Sequence, residues 1–447
     1  MSQSDSPFIV TIDGPAASGQ ASSGHWPRVN GALHCEGVPL DAIAASTGTP
    51  AYVYSSASIR AAYVRLDAAL DGVPHRLHYA MKANGSLGVL KVLRDCGAGV
   101  DCVSSGELFR AQAAGFGAYD IFVGGVGKRR DEIAAAVAAN VACITAESEA
   151  ELHLISAAAM AAGATARVAI RINPEVTVEA FHDYVKTGES GDKFGIPIDA
   201  AYHAAQLAAS LPGLSLVGLH QHLGSQLFGM AALSEATDKL LQLLARLRSA
   251  APAAAAAIRT LDLGGGIGVR YDTESEPDLV ELGRIAANAH RASGLDICLE
   301  PGRFLVAAAG TLLTRVLYHK RSGARTFVVT DAGMTDLLRP ALYEAYHRVE
   351  AVQTSGANER VEVVGPVCES GDFLALDRTI DAVQPGDLLT VQTAGAYGFV
   401  MASNYNARPR AAEVLVDGAR WGVIRDRERH EDLVRGERVT PDWSTIA

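Results

Sequence analysis

The 447-residue sequence predicts an α/β fold, a (β/α)8 barrel plus a C-terminal antiparallel β domain joined by an N-terminal strand. Three observations carry that prediction. Between residues 75 and 303, runs rich in Val, Ile and Leu alternate with Ala/Leu/Glu stretches of helical character. Such alternation requires parallel strands with crossover helices, and eight repeats suffice to close a barrel, with an open doubly wound sheet as the alternative. From Ala307 onward the alternation stops, and strand-like segments separated by Gly, Pro and Asp turns take over. Finally, polar and glycine-rich residues follow the apolar runs one after another, at the strand ends where a parallel barrel gathers its reactive groups.

The eight strand runs fall near 76–80, 99–103, 120–123, 141–145, 166–172, 214–222, 259–263 and 296–300. Helical stretches at 87–95, 106–114, 131–140, 148–161, 199–210, 231–250 and 278–292 lie between them, with Ala251–Ala257 as an Ala-rich turn. The later strand segments are Leu312–Leu317, Thr326–Thr330, Arg360–Val364, Leu388–Gln392 and Ala412–Val416, with one short helix near Pro340–His347. Two extended pieces, Ala32–Cys35 and Tyr52–Tyr54, precede the barrel, and the first is expected to cross over to the C-terminal sheet. The expected division is a flexible leader over 1–25, N-terminal strands in 26–54 that partly join the β domain, a cofactor-binding barrel over 55–305 and the β domain over 306–447.

Composition narrows the function. Hydrophobic residues at 49% and charged residues at 20% exclude a disordered or fibrous chain. A net charge of -11 without clustered Lys and Arg argues against a nucleic-acid partner and favours small-molecule chemistry. The six cysteines show no CxxC or Cys/His spacing, so neither a metal site nor a disulfide framework is expected, and a reducing cytoplasm fits. Met1–Pro7 lacks the character of a secretory signal, and apolar runs such as Phe304–Leu317 are short or broken by Thr and Arg, so no membrane association is expected. The segment Ile9–Ser22 resembles a phosphate-binding loop, but Gln20 stands where the lysine belongs and Ser23-Gly24-His25-Trp26-Pro27 cannot continue as a helix. It reads as part of the leader.

At the strand ends, Lys82 follows the first run, Ser104 the second, Gly124-Gly125 the third, His222-Leu223-Gly224-Ser225 the sixth, Gly264-Gly265-Gly266 the seventh and Glu300-Pro301-Gly302-Arg303 the eighth. Lys82 is expected to be partly desolvated, which lowers its pKa and leaves a neutral amine to condense with an aldehyde. The triple glycine, Gly302 and the Ser225 hydroxyl supply donors for one phosphate monoester, which suits a single-phosphate cofactor better than a dinucleotide. A buried Glu300 needs a partner, either a protonated pyridine nitrogen or Arg303. His220 and His222 share one face of a strand. Core packing is the plain reading for each, and a flat imidazole stacked on an aromatic ring is the functional one.

Seven motifs then occur in order: His78-Tyr79-Ala80-Met81-Lys82-Ala83-Asn84, His220-Gln221-His222-Leu223-Gly224-Ser225-Gln226, Gly264-Gly265-Gly266, Glu300-Pro301-Gly302-Arg303, Arg339-Pro340-Ala341-Leu342-Tyr343, Cys368-Glu369-Ser370-Gly371-Asp372 and Ala394-Gly395-Ala396-Tyr397-Gly398. Over about residues 30 to 440 the chain resembles the pyridoxal-phosphate decarboxylases of the alanine-racemase-like fold (fold type III), and among them the diaminopimelate decarboxylases. The resemblance implies pyridoxal 5'-phosphate carried on Lys82, with His222 stacked on its ring, Glu300 at the pyridine nitrogen, and Ser225, Gly264, Gly265, Gly266 and Gly302 on its phosphate. It implies that Arg303, Arg339, Tyr343 and Glu369 grip the distal end of a small amino-acid substrate, that Tyr397 lies near cofactor and substrate, and that Cys368 protonates the carbanion left by CO2. Cys368 and Glu369 would come from the neighbouring subunit of a homodimer with shared sites.

The activity so implied is decarboxylation of meso-2,6-diaminopimelate to L-lysine and CO2, the last step of lysine biosynthesis. Decarboxylation of another amino acid, of the ornithine or arginine type or tethered to a carrier, is the alternative. A non-catalytic pyridoxal-phosphate carrier is a further one, disfavoured because such carriers usually lack the second β domain. Racemisation would want a second base facing Lys82, and no tyrosine motif clearly supplies it. The chain departs from the family pattern in Val123–Lys128, which lacks the Asn often found there, in His182-Asp183-Tyr184, with Asp where Pro is usual, and in its leader.

Overall fold

The computed structural model describes residues 25–177 and 191–444, so the phosphate-loop-like leader segment and His182-Asp183-Tyr184 lie outside the described residues. Eight parallel strands, His75–Ala80, Gly99–Cys102, Ile121–Val123, Cys143–Ala146, Ala166–Asn173, Leu214–Gln221, Thr260–Asp262 and Asp296–Leu299, form the barrel. It closes because His75–Ala80 pairs with Gly99–Cys102 on one edge and Asp296–Leu299 on the other. Most residues of these strands are buried on both faces, since side chains fill the barrel inside and helices cover it outside.

The seven expected helices are present, from Leu87–Asp95 to Leu279–Ser293. An eighth, Ser56–Ala69, was not anticipated. It precedes the first strand and packs between Leu87–Asp95 and Leu279–Ser293, where the helix after the last strand is only the short turn Arg303–Val306. Ile59, Tyr63 and Leu66 give it a helical stripe that is buried, and Ser55 caps it by accepting from the Ser58 N–H at 3.0 Å. Contact with the neighbouring helix is close enough that a Cβ on Gly283 would lie 2.0 Å from the Ala69 carbonyl oxygen.

The second sheet runs in the order Phe373–Asp381, Asn358–Val364, Arg325–Thr330, Gly310–Ser322, Ala51–Ser55, Ala412–Asp417, Arg420–Arg425, and Leu388–Val391 pairs with both Gly310–Ser322 and Val349–Ala351. Most pairs are antiparallel, but Arg325–Thr330 with Asn358–Val364 and Ala51–Ser55 with Ala412–Asp417 are parallel. The strand that crosses from the N-terminal region is Ala51–Ser55. Ala32–Cys35, expected in that role, instead pairs with Arg28–Val29 and Val38–Pro39; it packs Leu33 and Cys35 against the domain but, among the described residues, bridges to it only at Val352 and Gln353. The reason is burial. All five residues of Ala51–Ser55 are buried, so both edges need partners, and the hydroxyls of Tyr52 and Tyr54 donate to the Asp336 carbonyl at 2.6 Å and to Glu413 at 2.8 Å.

Two hydrogen bonds tie the sheet to the barrel mouth. The Tyr397 N–H donates to the Ala83 carbonyl at 2.8 Å, and Asn84 Nδ2 donates to the Gly395 carbonyl at 3.0 Å. The turn that carries Lys82 is thereby fixed against the segment that carries Tyr397.

Candidate active site

A cavity of about 420 Å³ opens at the C-terminal ends of the barrel strands and is roofed by the β domain. Lys82, His222, Ser225, Gly266, Glu300, Gly302, Arg303, Arg339, Tyr343 and Tyr397 all line it. Ten residues named from sequence, drawn from both domains, thus converge on one space.

Lys82 sits in the one-turn helix Met81–Ala83 that ends the first strand. Asn84 locks that turn, accepting from the Ser86 N–H at 3.0 Å, while its carbonyl accepts from the Tyr79 hydroxyl at 3.0 Å. The Lys82 side chain is accessible within the cavity and otherwise enclosed by protein. The expected downward shift of its pKa is not found. Burial pulls it down, but Tyr397, Asp101 and Glu300 together raise it above the ordinary lysine value. These neighbours thus favour the charged form of the amine.

Glu300 is buried and accepts from His220 Nε2 at 3.1 Å, so its protein partner is His220 and not Arg303. Burial alone would raise its pKa, yet His220, His222 and Lys82 outweigh burial and hold the carboxyl well below the usual range, as an anion. His222 Nδ1 accepts from the Gly265 N–H at 3.0 Å. Burial first, then Lys82 and Arg171, push its pKa well below the ordinary value, so it presents a neutral ring to the cavity.

The glycine run serves mainly close packing. Gly264 donates to Asp262 Oδ1 at 2.9 Å and Gly265 to His222, and a Cβ on Gly265 would stand 2.0 Å from the Glu300 carbonyl oxygen. Gly264 and Gly265 therefore bring the ends of three strands together, and only Gly266 of the three borders the cavity, beside Ser225 and Gly302. Ser104 is not part of the site but caps the helix Ser105–Ala113, accepting from the Glu107 N–H at 3.2 Å. Gly124 and Gly125 border an adjoining cavity that Lys82 also reaches. The Val123–Lys128 loop is held by Lys128, whose ammonium donates to the carbonyls of Gly125 and Thr145 at 2.7 Å and pairs with Glu151 at 3.0 Å.

At the other end, Arg303 donates to Ser225 Oγ at 3.2 Å and to the Tyr271 hydroxyl at 2.9 Å, and its guanidinium lies 4.7 Å from the Tyr397 ring. Arg339 lies 4.6 Å from the Tyr271 ring and donates to His347 Nε2 at 3.0 Å, with its Nε buried and unpartnered. No carboxylate side chain from a described residue pairs with either guanidinium. Cys368 and Glu369 are exposed on a turn shaped by Asp372, which accepts from the N–H groups of Met334 and Val367, and neither lines the cavity of its own chain.

Sequence reasoning missed Asp101, Tyr271 and His347. Asp101 had a signal, an acidic residue inside the apolar run Gly99–Cys102, and it is buried near Lys82 and Glu300. Tyr271 and His347 had none, because only the fold brings Tyr271 against both arginines and His347 against Arg339 and the Tyr271 ring.

The groups present fit pyridoxal phosphate. A buried lysine for its aldehyde and a buried anion for its ring nitrogen share one cavity with a neutral imidazole, and Ser225, Gly266 and Gly302 offer donors for a single phosphate. A barrel with this mouth and a second β domain defines a pyridoxal-phosphate enzyme of the decarboxylase class. Comparison agrees: residues 56–307 match the pattern described as pyridoxal-dependent decarboxylase, pyridoxal binding domain, and the chain belongs to that family. Its relatives include the diaminopimelate decarboxylase of Pseudomonas aeruginosa, 47% identical over 92% of this chain and 97% of the relative, and that of Neisseria meningitidis serogroup B, 45% identical over 91% and 97%. Among solved structures, diaminopimelate decarboxylase of Helicobacter pylori complexed with L-lysine superposes with a TM-score of 0.84 at 38% identity, covering 89% of this chain and 98% of that one.

Proposed function

We propose that this protein decarboxylates meso-2,6-diaminopimelate to L-lysine and CO2. The observation that carries the substrate choice is the pair Arg303 and Arg339, two buried guanidiniums at one end of the cavity with no carboxylate of a described residue paired to either. A substrate with a second carboxylate, remote from the one that leaves, satisfies them, and ornithine or arginine does not.

When bound, the cofactor supplies an electron sink for the pair left by CO2. The remaining work belongs to the chain. Lys82 would provide the amine that carries the cofactor, and anionic Glu300 would keep a proton on the ring nitrogen. His222 would offer its ring as a stacking surface, and Ser225, Gly266 and Gly302 would hold the phosphate. Arg303, Arg339 and Tyr343 bind the distal carboxylate and orient the molecule, while Tyr397, fixed to Ala83, closes the site. The bond from Cα to its carboxylate breaks, CO2 leaves, and a proton takes its place at Cα. Cys368 of the partner subunit is the donor for that proton, and Glu369 of the partner subunit meets the distal ammonium. Exposure of both residues on a turn outside their own cavity supports a homodimer with shared sites. The enzyme acts in the cytoplasm, which fits six unpaired cysteines; no helix among the described residues is long and apolar enough to cross a membrane.

Product analysis of the purified enzyme with pyridoxal phosphate tests the reading, using meso-diaminopimelate beside ornithine, arginine and lysine. Lysine formed from diaminopimelate at a kcat/KM far above the other three is expected. Preference for a substrate without a distal carboxylate overturns it.

A further inference from the structure

Behind Glu300 lie two buried residues, His220 and Asp262, that the reaction as described does not use. The donor or acceptor atoms of His220, Asp262 and Glu300 all lie within 4.8 Å of one another, and all three residues are buried. His220 comes from the sixth barrel strand, Asp262 from the seventh, and Glu300 follows the eighth. The close packing permitted by Gly265 draws these strand ends together.

Two carboxyl groups that face each other in a water-poor core cannot both be ionised. Asp262 Oδ1 accepts from the Gly264 N–H at 2.9 Å, but Oδ2 finds no donor and has Glu300 beside it. Their contact is a hydrogen bond only if one of the two carries a proton. Glu300 has a donor in His220 at 3.1 Å and faces Lys82 across the cavity, whereas Asp262 has a single backbone N–H. The proton therefore belongs on Asp262. Burial first, and then Glu300, shift its acidity in the same direction. On His220, Nδ1 is buried without a partner while Nε2 faces Glu300 at 3.1 Å, and a carboxylate oxygen there accepts from an Nε2–H.

We propose that Asp262, as a neutral acid, and His220, through its Nε2–H, are positioning residues that donate to Glu300 and hold it as the single anion presented to the cofactor's ring nitrogen. Two donors behind a carboxylate lower its proton affinity. The ring proton then stays on the nitrogen instead of passing to Glu300. This inference rests on the reading above that Glu300 meets that nitrogen.

The test uses holoenzyme loaded with pyridoxal phosphate carrying 15N in the ring, read by the nitrogen chemical shift and by the cofactor dissociation constant. Asp262→Asn reproduces the neutral acid, with its oxygen accepting from Gly264 and its amide donating to Glu300, whereas Asp262→Leu removes the donor. The Asn variant is expected to keep the protonated-nitrogen shift. The Leu variant is expected to move the shift toward the unprotonated position and to weaken cofactor binding on the order of tenfold to a hundredfold, the effect of one hydrogen bond to a charged group. His220→Leu should act like Asp262→Leu, and His220→Gln should restore the shift. Apo-protein melting temperatures separate loss of fold from loss of the donor, and the two conservative variants, which keep the packing volume, carry the decision if a Leu variant does not fold. An Asn variant that shifts the nitrogen signal as far as the Leu variant overturns the proposal, since Asp262 would then act as an anion. A Glu300→Gln variant with an unchanged nitrogen signal instead overturns the underlying placement of Glu300.

Discussion

The Tyr271 hydroxyl accepts a hydrogen bond from Arg303 Nη1 at 2.9 Å, and Arg339 lies 4.6 Å from the same ring. One phenol thus stands between two buried cations. Burial raises its pKa, but Arg303 and Arg339 outweigh burial and lower it below the ordinary tyrosine value. Tyr271 fixes both guanidiniums where a distal carboxylate must meet them. Tyr271→Phe is expected to raise KM for diaminopimelate roughly 10- to 100-fold with kcat nearly unchanged, the effect of one hydrogen bond to a charged group lost in the ground and transition states alike. Steady-state kinetics decide it, and an equal fall in kcat at constant KM contradicts it.

Lys82→Ala should abolish covalent attachment of the cofactor. No other lysine among the described residues lines the cavity. Borohydride treatment followed by mass spectrometry should find no fixed cofactor on the variant, and a fixed cofactor would move the attachment elsewhere.

His347 gives a pH dependence with a definite sign. Burial first, then Arg339, whose guanidinium donates to its Nε2, push its pKa down to about 3, outweighing the Gln392 carbonyl, which accepts from Nδ1 and acts in the opposite direction. Above its ordinary value of 6.5 the folded and unfolded chains hold it equally neutral. As pH falls from 6.5 toward 3 the unfolded chain takes a proton that the folded chain refuses, so stability is lost. His347→Gln preserves both hydrogen bonds without a titrating ring. It should remove about 1.4 kcal/mol per pH unit from the acid-side slope of unfolding free energy near pH 5. Denaturant titrations at several pH values measure it, and parallel slopes for both proteins would refute it.

Subunit exchange probes the shared site. Lys82→Ala and Cys368→Ala proteins should each be inactive alone and regain part of the activity when mixed, because each mixed dimer holds one site with both groups intact. No recovery, with exchange demonstrated by labelled subunits, would place each site within a single chain.

Glu369→Gln should act on specificity. Leaving the distal ammonium without its charged partner in an enclosed pocket costs about 2 to 5 kcal/mol, or roughly 30-fold to several thousand-fold in kcat/KM for diaminopimelate. A slow substrate that lacks the distal amino group should lose far less, and cofactor attachment should survive. Equal losses for both substrates would assign Glu369 to cofactor chemistry or to folding.

Much of this protein could be read in its residues. The alternation of apolar runs and helical stretches is a local property, so barrel strands such as Ala166–Asn173 and helices such as Ala231–Ala250 fall where periodicity puts them. Lys82, His222, Glu300 and Arg303 were legible for a related reason, since a reactive residue that ends an apolar run has one place to go in a parallel barrel. Ser56–Ala69 escaped notice because it lies before the repeat begins, although its Ile59, Tyr63 and Leu66 spacing is helical.

Tertiary structure alone decided which groups face one another. That Ala51–Ser55 and not Ala32–Cys35 enters the second sheet depends on which segment can bury both faces while pairing both edges. The same holds for the partner of Glu300, since Arg303 is three residues away in sequence but turns toward Ser225 and Tyr271, while His220 arrives from another strand. The charge of Lys82 also follows from its surroundings. Its burial was inferable from the strand it ends, but the opposing effect of Tyr397, Asp101 and Glu300 exists only once three distant segments are folded around it. Periodicity is set by neighbours along the chain, whereas electrostatics and hydrogen-bond partners are set by neighbours in space.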